Sequence, residues 1–300
     1  MNDLVLVPTL SAERNAAGNI VLTRKFIDGV HEWARRWAGD VRLLMEVSDQ
    51  PSDNLDPVEV GSSELPYRVD VVDYQSPSIV PYLQDASVVV GGAHFRQVGL
   101  TAACREAGVP FVYCTEYTLR TRLQIVRTSG IHPLRQARRA YWEWSLEQKH
   151  LEVIRSCAGV QCNGTPTFDV YRKHNPNTML YFDTRVRPDQ IVTEETLERR
   201  LTRLDRQEPL RLVFSGRLNR MKGADHLVPL AKKLRERGIA FHMSVCGDGE
   251  CVPQMEADIA RWGLNRYVTL RGVLDFNEEL LPFVREACDL FVCCHRQGDP

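Results

Sequence analysis

The chain has 300 residues, 43% of them hydrophobic and 26% charged, and its 38 Lys and Arg nearly balance its 39 Asp and Glu. This is the composition of a soluble globular protein of about two domains. The net charge of -1 argues against a dedicated nucleic-acid-binding protein, so we expect no nucleic-acid partner. No apolar run reaches the roughly 18 residues of a membrane span, and the N-terminus lacks the pattern of a signal peptide. We therefore expect a cytoplasmic protein.

The cysteines indicate buried thiols rather than a metal site. There are nine, none in a C-x-x-C pair, and most lie in or beside apolar runs. Cys293 and Cys294 are adjacent on a predicted strand, where neighbouring side chains point to opposite faces. We therefore predict reduced cysteines and no bound metal.

Short apolar runs predict strands along nearly the whole chain. Several are continuous runs of Val, Leu and Phe, as expected for strands buried on both faces of a parallel sheet. The predicted strands are 4–7, 41–47, 69–72, 88–90, 111–114, 159–162, 179–182, 212–215, 242–246, 268–270 and 290–294.

Helical patterns lie between these strands. Gly108 with Pro110 beyond it is a helix stop signal, and Thr165-Pro166 has the pattern of an N-cap and a first helical residue. The alternation of strands and helices predicts α/β architecture with parallel sheets. The predicted helices are 20–37, 97–107, 134–156, one that begins near Thr165, and 194–204.

A polar, charge-rich stretch divides the chain into two predicted domains. We expect an N-terminal α/β domain over 1–185, a linker over 186–207 and a second α/β domain over 208–300. A new strand, turn and helix begin at Leu210, directly after the linker.

The start of the second domain has the pattern of an anion site. A predicted buried strand ends at Ser215, Gly216 permits a tight turn, and Arg217 and Lys222 follow in the loop before a helix that begins near Gly223. Backbone N–H groups, a helix N-terminus and two cations at one strand end are what a phosphate or diphosphate needs. The alternative interpretation is that both residues are ordinary loop cations.

The run Ser-Gly-Arg-Leu-x-x-x-Lys-Gly over 215–223 resembles the donor-phosphate loop of family 4 glycosyltransferases with the GT-B fold. Three further motifs follow in the family's order, within about 85 residues in all. They are Gly247-Asp248-Gly249 after a strand, Arg271-Gly272-Val273 after the next strand, and Cys288-Asp289 before the last strand.

The resemblance implies two Rossmann-like domains, a nucleotide-sugar donor, retention at the anomeric carbon and no metal or other cofactor. It implies that Gly216, Arg217 and Lys222 bind the donor diphosphate, with UDP- or GDP-sugar as the co-substrate. The residues that it implies for nucleotide binding are Gly247, Gly249, Arg271, Gly272 and Val273.

Two departures from the family pattern lead to further expectations. Pro229 is predicted in the second turn of the helix after the phosphate loop, where it would kink the helix. The chain ends at Pro300, before the Glu-x7-Glu segment in which the family contacts the donor sugar. We therefore expect a C-terminally truncated chain with an incomplete second domain and an incompletely covered strand 290–294.

The N-terminal half resembles the family more loosely, and each candidate residue has a structural alternative. Gly18 matches the glycine turn near the donor phosphates, and a helix-capping glycine is equally consistent. His94 and Glu116 follow strands at the same predicted sheet edge. We assign both as candidate catalytic residues that contact the acceptor, with a loop histidine and a carboxylate paired to a nearby arginine as the alternatives.

The segment 120–150 is basic and aromatic. It has seven Lys and Arg against two Glu, a net charge of +5, with Tyr141, Trp142 and Trp144 interleaved. An anionic membrane surface, here the inner membrane face, or a phosphate-bearing acceptor suits this pattern. A solvated helix face with its Trp residues in the core is the interpretation that the pattern favours.

The sequence therefore predicts a retaining glycosyltransferase that moves a sugar from a nucleoside-diphosphate donor to a hydroxyl of a glycan, lipid-linked or small-molecule acceptor. The alternatives are a GT-B nucleotide-sugar epimerase and a catalytically silent nucleotide-sugar-binding protein. A dehydrogenase is disfavoured, because no Gly-x-Gly-x-x-Gly with a downstream acid follows a strand.

Overall fold

The computed structural model describes residues 3–15, 19–48, 57–60, 65, 67–184 and 186–298. The chain forms two compact units. Unit 1 contains Met1–Leu123 and Ile131–Asp183, and unit 2 contains Gln124–Gly130 and Thr184–Gly298. Unit 2 therefore includes a short segment from the first half of the chain as well as the stretch 186–207.

Unit 1 is built on a sheet of seven parallel strands. Short 3₁₀ helices at Pro77–Ile79 and Phe95–Gln97 join its elements. In chain order the elements are β1 Asp3–Val7, β2 Ala12–Arg14, β3 Ile20–Thr23, α1 Arg24–Arg36, β4 Val41–Met45, β5 Val47–Ser48, β6 Pro57–Val60, β7 Arg68–Val71, α2 Val80–Leu83, β8 Ala86–Gly92, α3 Leu100–Ala107, β9 Phe111–Thr115, α4 Leu119–Thr128, α5 Pro133–Ser156, β10 Gly159–Asn163, α6 Thr165–Tyr171 and β11 Thr178–Tyr181.

The main sheet runs in the order β11-β10-β9-β8-β1-β4-β7, so β1 lies between strands that continue in opposite directions along the sheet. Successive residues of β1 alternate between two cores. Leu4 and Leu6 pack in one hydrophobic cluster, and Val5 and Val7 pack in another on the opposite face. The continuous apolar run thus indicates a central strand covered on both faces, as predicted.

The second sheet of unit 1 corrects one helix prediction. Residues Ile20–Thr23 form β3, which pairs antiparallel with β2 and β6, and α1 begins only at Arg24. Ile20, Val21 and Leu22 favour extended backbone, and the Thr23 hydroxyl accepts a hydrogen bond of 3.1 Å from the Phe26 amide as a helix N-cap. The predicted helix 20–37 is therefore wrong over its first four residues.

Unit 2 repeats the same arrangement with fewer strands. Its sheet runs in the order β14-β13-β12-β15, all parallel, which matches the order β7-β4-β1-β8 in unit 1. This repetition confirms the predicted α/β class with parallel sheets. The elements are α7 Glu194–Asp205, β12 Leu210–Ser215, α8 Leu227–Glu236, β13 Phe241–Cys246, α9 Val252–Arg261, β14 Val268–Gly272, α10 Leu281–Ala287 and β15 Leu290–Phe291, with 3₁₀ helices Pro188–Gln190 and Ala224–His226 and the π-helix Phe276–Leu280.

The helix after β12 contains its proline in the first turn. A 3₁₀ turn precedes α8, so α8 begins at Leu227 and Pro229 is its third residue. The first four N–H groups of a helix have no intrahelical acceptor, so a proline there removes no helix bond. The predicted position of Pro229 in the second turn is therefore wrong, because the helix begins later than predicted, and the reason for expecting a kink is removed.

The last strand is shorter than predicted and lies at the sheet edge. Asp289 fixes its start, since its carboxylate accepts hydrogen bonds from the Arg211 amide at 2.8 Å and from the Arg211 guanidinium at 2.8 Å. Burial opposes the charge of Asp289, but these hydrogen bonds prevail and lower its pKa. Leu290 and Phe291 are both more than half exposed, so this strand is incompletely covered, as expected.

Beyond Phe291 the chain leaves the sheet for the loop that follows β12. The Val292 amide still binds the Val213 carbonyl, but the Arg296 amide binds the Met221 carbonyl at 3.1 Å. The strand predicted over 290–294 therefore ends three residues early. Within the described part of the chain, no helix is both long enough and apolar enough to cross a lipid bilayer.

Candidate active site

A cleft of about 590 Å³ opens in unit 1 where β1 and β8 end. These neighbours are the strands from which the sheet order runs in opposite directions, and open α/β sheets bind ligands at that position, beyond the carboxyl ends of the strands. One wall consists of the residues after β1 and β8. The other wall comes from α1, and residues after β9 complete the rim.

Gln97 ties the two strand ends together below the cleft. It is fully buried, and its amide nitrogen donates to the carbonyls of Val7 and Pro8 at 3.1 and 2.7 Å. Its amide oxygen accepts from the Gly92 amide at 2.7 Å. Sequence reasoning missed Gln97, because a glutamine at the start of a helical pattern normally faces solvent.

An ion pair fixes the adjacent loop. The Arg96 guanidinium binds both carboxylate oxygens of Glu46, at 2.5 and 2.6 Å, and Glu46 also accepts from the Tyr74 amide. A bidentate pair of this kind restricts orientation as well as distance. The ion pair therefore fixes the position of the loop that carries His94.

His94 and Glu116 line this same cleft, as the sequence analysis predicted for one sheet edge. Burial lowers the pKa of His94, and Arg96 lowers it further against the opposing effect of Glu46, so the imidazole is neutral near pH 7. Glu116 reaches solvent through the cleft mouth, yet the surrounding protein raises its pKa by desolvation. Lys25, which pairs with Asp183, lowers the same pKa in part.

A buried charge cluster lies behind the cleft. Arg122 lines the cleft, and its guanidinium pairs with Glu143 and Glu147 of α5. Its remaining nitrogen donates to the Tyr117 carbonyl at 3.2 Å, and the Tyr171 hydroxyl binds Glu147 at 3.2 Å. The carboxylate side chains are only 7% exposed, so these glutamates are not surface charges.

His150 extends this cluster into the core of unit 1. Its Nδ1 hydrogen-bonds the Tyr113 hydroxyl, and its buried Nε2 has no hydrogen-bond partner among the residues that the structure describes. Burial, with contributions from Arg122 and His94, lowers the pKa of His150 to about 3. The residue is therefore neutral. A lone histidine on a long helical pattern gave no sequence signal for this role.

The predicted site residue Gly18 lies outside the described residues. In unit 2, the structure places Gly216, Arg217 and Lys222 in the loop after β12, which is again the strand at which the sheet order reverses. Arg217 and Lys222 are both half-buried. The Lys222 amide donates to the Asn219 carboxamide at 2.9 Å, which holds the loop in a compact turn.

The loop glycines permit backbone contacts that no side chain would allow. A Cβ atom added to Gly247 would lie 2.0 Å from the Gly216 carbonyl oxygen, and one added to Gly223 would lie 1.9 Å from the Cys294 carbonyl oxygen. Both glycines have positive φ, +129° and +71°. The motif glycines of the β12 and β13 loops are therefore packed directly against each other.

Hydrogen bonds continue this contact to the next strand. The Gly216 amide binds the Cys246 carbonyl at 3.1 Å, and the Gly247 amide binds the Gly272 carbonyl at 2.6 Å. A Cβ atom on Gly249 would meet the Leu218 carbonyl oxygen at 2.7 Å. The structure thus brings the predicted glycines of three strand ends together in one row.

Arg271 and Val273 differ from these glycines. The Arg271 Nε donates to the Ser244 hydroxyl at 3.2 Å, and its guanidinium lies 4.2 Å from the centre of the Phe283 ring. Val273 is exposed just beyond β14. Arg271 therefore has structural partners within unit 2, and its predicted contact with a nucleotide stays a prediction.

Within the described residues, no three His, Cys, Asp or Glu side chains form a group able to hold a metal ion. The nine cysteines are free thiols, and Cys293 is exposed.

Residues 199–298 match the model of a family described as glycosyl transferases group 1. No curated protein sequence matches the chain. The matched stretch contains the loop with Arg217 and Lys222, the glycine row and β15.

Solved glycosyltransferases share the fold of the whole chain. HepE of Anabaena, crystallised with UDP, has a TM-score of 0.63 and 16% identity, with 100% of this chain and 76% of HepE covered. Sucrose-phosphate synthase from Thermosynechococcus elongatus has a TM-score of 0.58 and 12% identity, with coverage of 100% and 77%. The lipopolysaccharide outer core galactosyltransferase WaaB has a TM-score of 0.58 and 9% identity, with coverage of 98% and 74%. The predicted resemblance to GT-B glycosyltransferases and the GT-B fold class are confirmed, whereas family 4 and truncation stay predictions.

The crowding around the glycine row predicts unequal costs for two alanine substitutions. Gly247 and Gly272 both have positive φ, but a Cβ on Gly272 meets no atom within 4 Å. We expect Gly247→Ala to lower the free energy of unfolding by about 2 kcal/mol more than Gly272→Ala, because only the former forces the Gly216 carbonyl aside. Urea denaturation, combined with amide hydrogen exchange of β12 and β13, measures the difference. Equal losses of unfolding free energy in the two variants would show that the Gly216 carbonyl can move aside without cost.

Proposed function

We propose that this chain, with its GT-B fold and its glycosyl transferases group 1 segment, transfers a sugar from a nucleoside-diphosphate sugar to an acceptor hydroxyl with retention of configuration. Unit 2 binds the donor and unit 1 binds the acceptor. No metal or other cofactor takes part. The observation that carries the proposal is the loop after β12, which holds Arg217 and Lys222 beside the glycine row within the segment matched by the family.

The chemistry of the donor explains why these groups are needed. Breaking the bond to the anomeric carbon develops one further negative charge on the diphosphate, which leaves with the bonding electron pair. Arg217 and Lys222 stabilise that charge without a metal ion, because the loop that carries them is held in place before the reaction begins. Gly18, Gly247, Gly249 and the segment 271–273 complete the proposed contacts with the diphosphate and the base.

The similar structures favour a uridine nucleotide. HepE was crystallised with UDP and with UDP-glucose, and a Phytolacca americana protein of TM-score 0.51 and 13% identity was crystallised with UDP-2-fluoro-glucose. Because the identities are low, these structures support the choice of a nucleotide to test but not the choice of a sugar. We propose UDP-sugar as the donor, with GDP-sugar as the competing choice.

In unit 1, His94 and Glu116 are the proposed acceptor contacts. Glu116 as carboxylate accepts a hydrogen bond from the acceptor hydroxyl, and neutral His94 offers one acceptor and one donor nitrogen beside it. Both lie in the cleft at the ends of β8 and β9. Hydrogen bonds of Gln97 and Glu46 hold the backbone beneath the cleft in place. The arrangement orients a hydroxylated molecule at the sheet edge.

Removal of either loop cation tests the donor site. We expect Arg217→Ala and Lys222→Ala each to lower turnover by about 100-fold, because one stabilising group of this type contributes about that factor. Calorimetric titration with UDP, GDP and ADP first identifies the nucleotide, and transfer is then measured as release of that diphosphate.

Arg261→Ala is the matched control, since Arg261 is an exposed arginine of unit 2 on α9, outside the loop. Incubation of labelled donor without acceptor separates transfer from epimerisation, and NMR of the product determines the configuration. Unchanged turnover in both loop variants would reject the donor site.

The pKa shifts predict the pH dependence of acceptor binding. The pKa of Glu116 is raised from 4.5 and that of His94 is lowered from 6.5. As the pH falls from 6.5 toward 4.5, both side chains therefore take up a proton and can no longer accept a hydrogen bond from the substrate hydroxyl at that atom. We expect kcat/KM for the acceptor to decrease with falling pH in that window. Glu116→Gln should lower kcat/KM by about 10–100-fold at pH 7, since a hydrogen bond to a charged group is lost, and should remove the Glu116 part of the pH profile. A variant profile identical to that of the wild type would exclude this role.

We also propose that α5 contacts an anionic membrane surface. The favoured alternative, with the Trp residues in the core, is wrong for Trp144, which is 52% exposed and stacks on Tyr141, itself 69% exposed. Trp142 packs on Phe95 instead. Leu134, Arg138 and Tyr141 follow the spacing of one helix face, and Leu134 is 76% exposed.

The distribution of charge supports this surface. Glu143 and Glu147, the two acids of 120–150, are buried with Arg122, so the segment exposes cations and no carboxylate. Basic residues interspersed with aromatic ones bind anionic headgroups by charge attraction and partial insertion.

Vesicle sedimentation tests the membrane contact. Arg135→Glu/Arg138→Glu should reduce binding to vesicles with 30% phosphatidylglycerol by about fivefold or more, because each cation contributes about 1 kcal/mol near such a surface. Arg261→Glu/Arg266→Glu in unit 2 changes the net charge equally and should have little effect. Equal binding by both double variants would contradict a surface on α5.

A further inference from the structure

The unit 1 cleft continues into a second groove along α1, and this continuity carries an inference about the acceptor. We infer that the acceptor has an apolar tail, alkyl or aromatic, which leaves the cleft over Gly29 and lies against Trp33 and Trp37. The inference rests on the proposed function, because it names the class of molecule that the same cleft would accept.

The two cavities share residues. The cleft of about 590 Å³ is lined on the α1 side by Phe26, Gly29, Val30 and Trp33. A groove of about 260 Å³ begins at Gly29 and Trp33 and extends to Trp37. Eight residues separate Gly29 from Trp37, which is about 12 Å along a helix. The distance suits a medium-length alkyl chain or a ring system.

Gly29 provides the connection between them. It lies in the interior of α1, where glycine is a poorer helix residue than alanine. Its φ is not positive, and a Cβ atom built there meets no atom of the described residues within 4 Å. Neither backbone conformation nor packing therefore requires glycine at this position. What glycine does provide is open space between the rings of Phe26 and Trp33.

The groove and the cleft differ in chemistry. The groove is lined almost entirely by apolar surface, although Glu32 and Arg36 contribute to it. Glu32 pairs with Arg35 at 2.8 Å and with Arg36 at 3.0 Å, so these charges neutralise one another at its rim. At the cleft end lie His94, Glu116 and the Lys25–Asp183 pair. A hydroxylated head joined to an apolar tail matches both ends at once.

Chain-length dependence of glycoside binding tests the inference directly. Methyl, phenyl and octyl β-glucoside, the last below its micelle concentration, are titrated with calorimetry and tryptophan fluorescence. We expect octyl glucoside to bind at least about tenfold tighter than methyl glucoside, since each fully buried methylene contributes up to about fourfold. The phenyl glycoside distinguishes an aromatic tail from an alkyl tail.

Gly29→Leu fills the passage, with its Cβ atom in open space, and should reduce the octyl preference, which is the ratio of octyl to methyl glucoside affinity, to about threefold or less. Gly99→Ala is the control glycine, because it is also open and lies at the start of α3. Leu201→Ser removes an exposed leucine on α7 and should leave the preference intact. If Gly29→Leu fails to fold in a thermal melt, Trp33→Ala makes the same test.

The outcomes separate this inference from the proposed function. Nucleotide binding without an octyl preference, or a preference that survives both Gly29→Leu and Trp33→Ala, overturns the apolar-tail site and leaves the transferase proposal in place. A preference that depends on Gly29, in a protein that binds no nucleotide, supports the tail site and removes the transferase. A loss of preference in Leu201→Ser shows adsorption to exposed apolar surface and overturns the inference.

Discussion

The geometry of unit 2 depends on direct backbone contact between loops at the ends of parallel strands. Gly247 approaches the Gly216 carbonyl, and Gly223 approaches the Cys294 carbonyl, at distances that leave no room for a Cβ atom. Because no side chains separate the loops, their amides and the flanking cations are held close to the end of β12. A loop on a less crowded sheet edge would have to be ordered by its ligand, at a cost in binding free energy.

Unit 1 reaches a similar rigidity by other means. Its cleft rests on buried polar groups that satisfy one another: Gln97 with the strand-end backbone, Glu46 with Arg96, and Arg122 with Glu143 and Glu147. Buried charges are costly unless every partner is present, so these groups define one arrangement. The cleft thereby combines a fixed polar end with an apolar wall on α1.

The fold and the loop after β12 were predictable from the sequence. The contacts between residues that are distant in the sequence were not. Continuous apolar runs indicate buried parallel strands. All the residues of the loop motif from Gly216 to Gly223 are neighbours in the sequence, so the motif can be recognised without the structure. In contrast, Ile20–Thr23 reads equally as helix or strand, and its pairing with β2 and β6 decided the outcome. The burial of Glu143 and Glu147 has no signal in the sequence, because only the tertiary structure places Arg122 between them. The fit of Pro229 likewise depended on the helix starting at Leu227.

The glycine row also determines the stage of folding at which the loop after β12 takes its shape. Its hydrogen bonds join β12, β13 and β14, which are separated in sequence by whole helices, so the loop acquires its shape only when the sheet has assembled. A nascent or partly unfolded chain then lacks the anion site proposed for this loop, however intact its local sequence. Binding of the proposed donor and folding of unit 2 are therefore thermodynamically linked, and a saturating donor would shift the equilibrium toward the native chain by mass action alone.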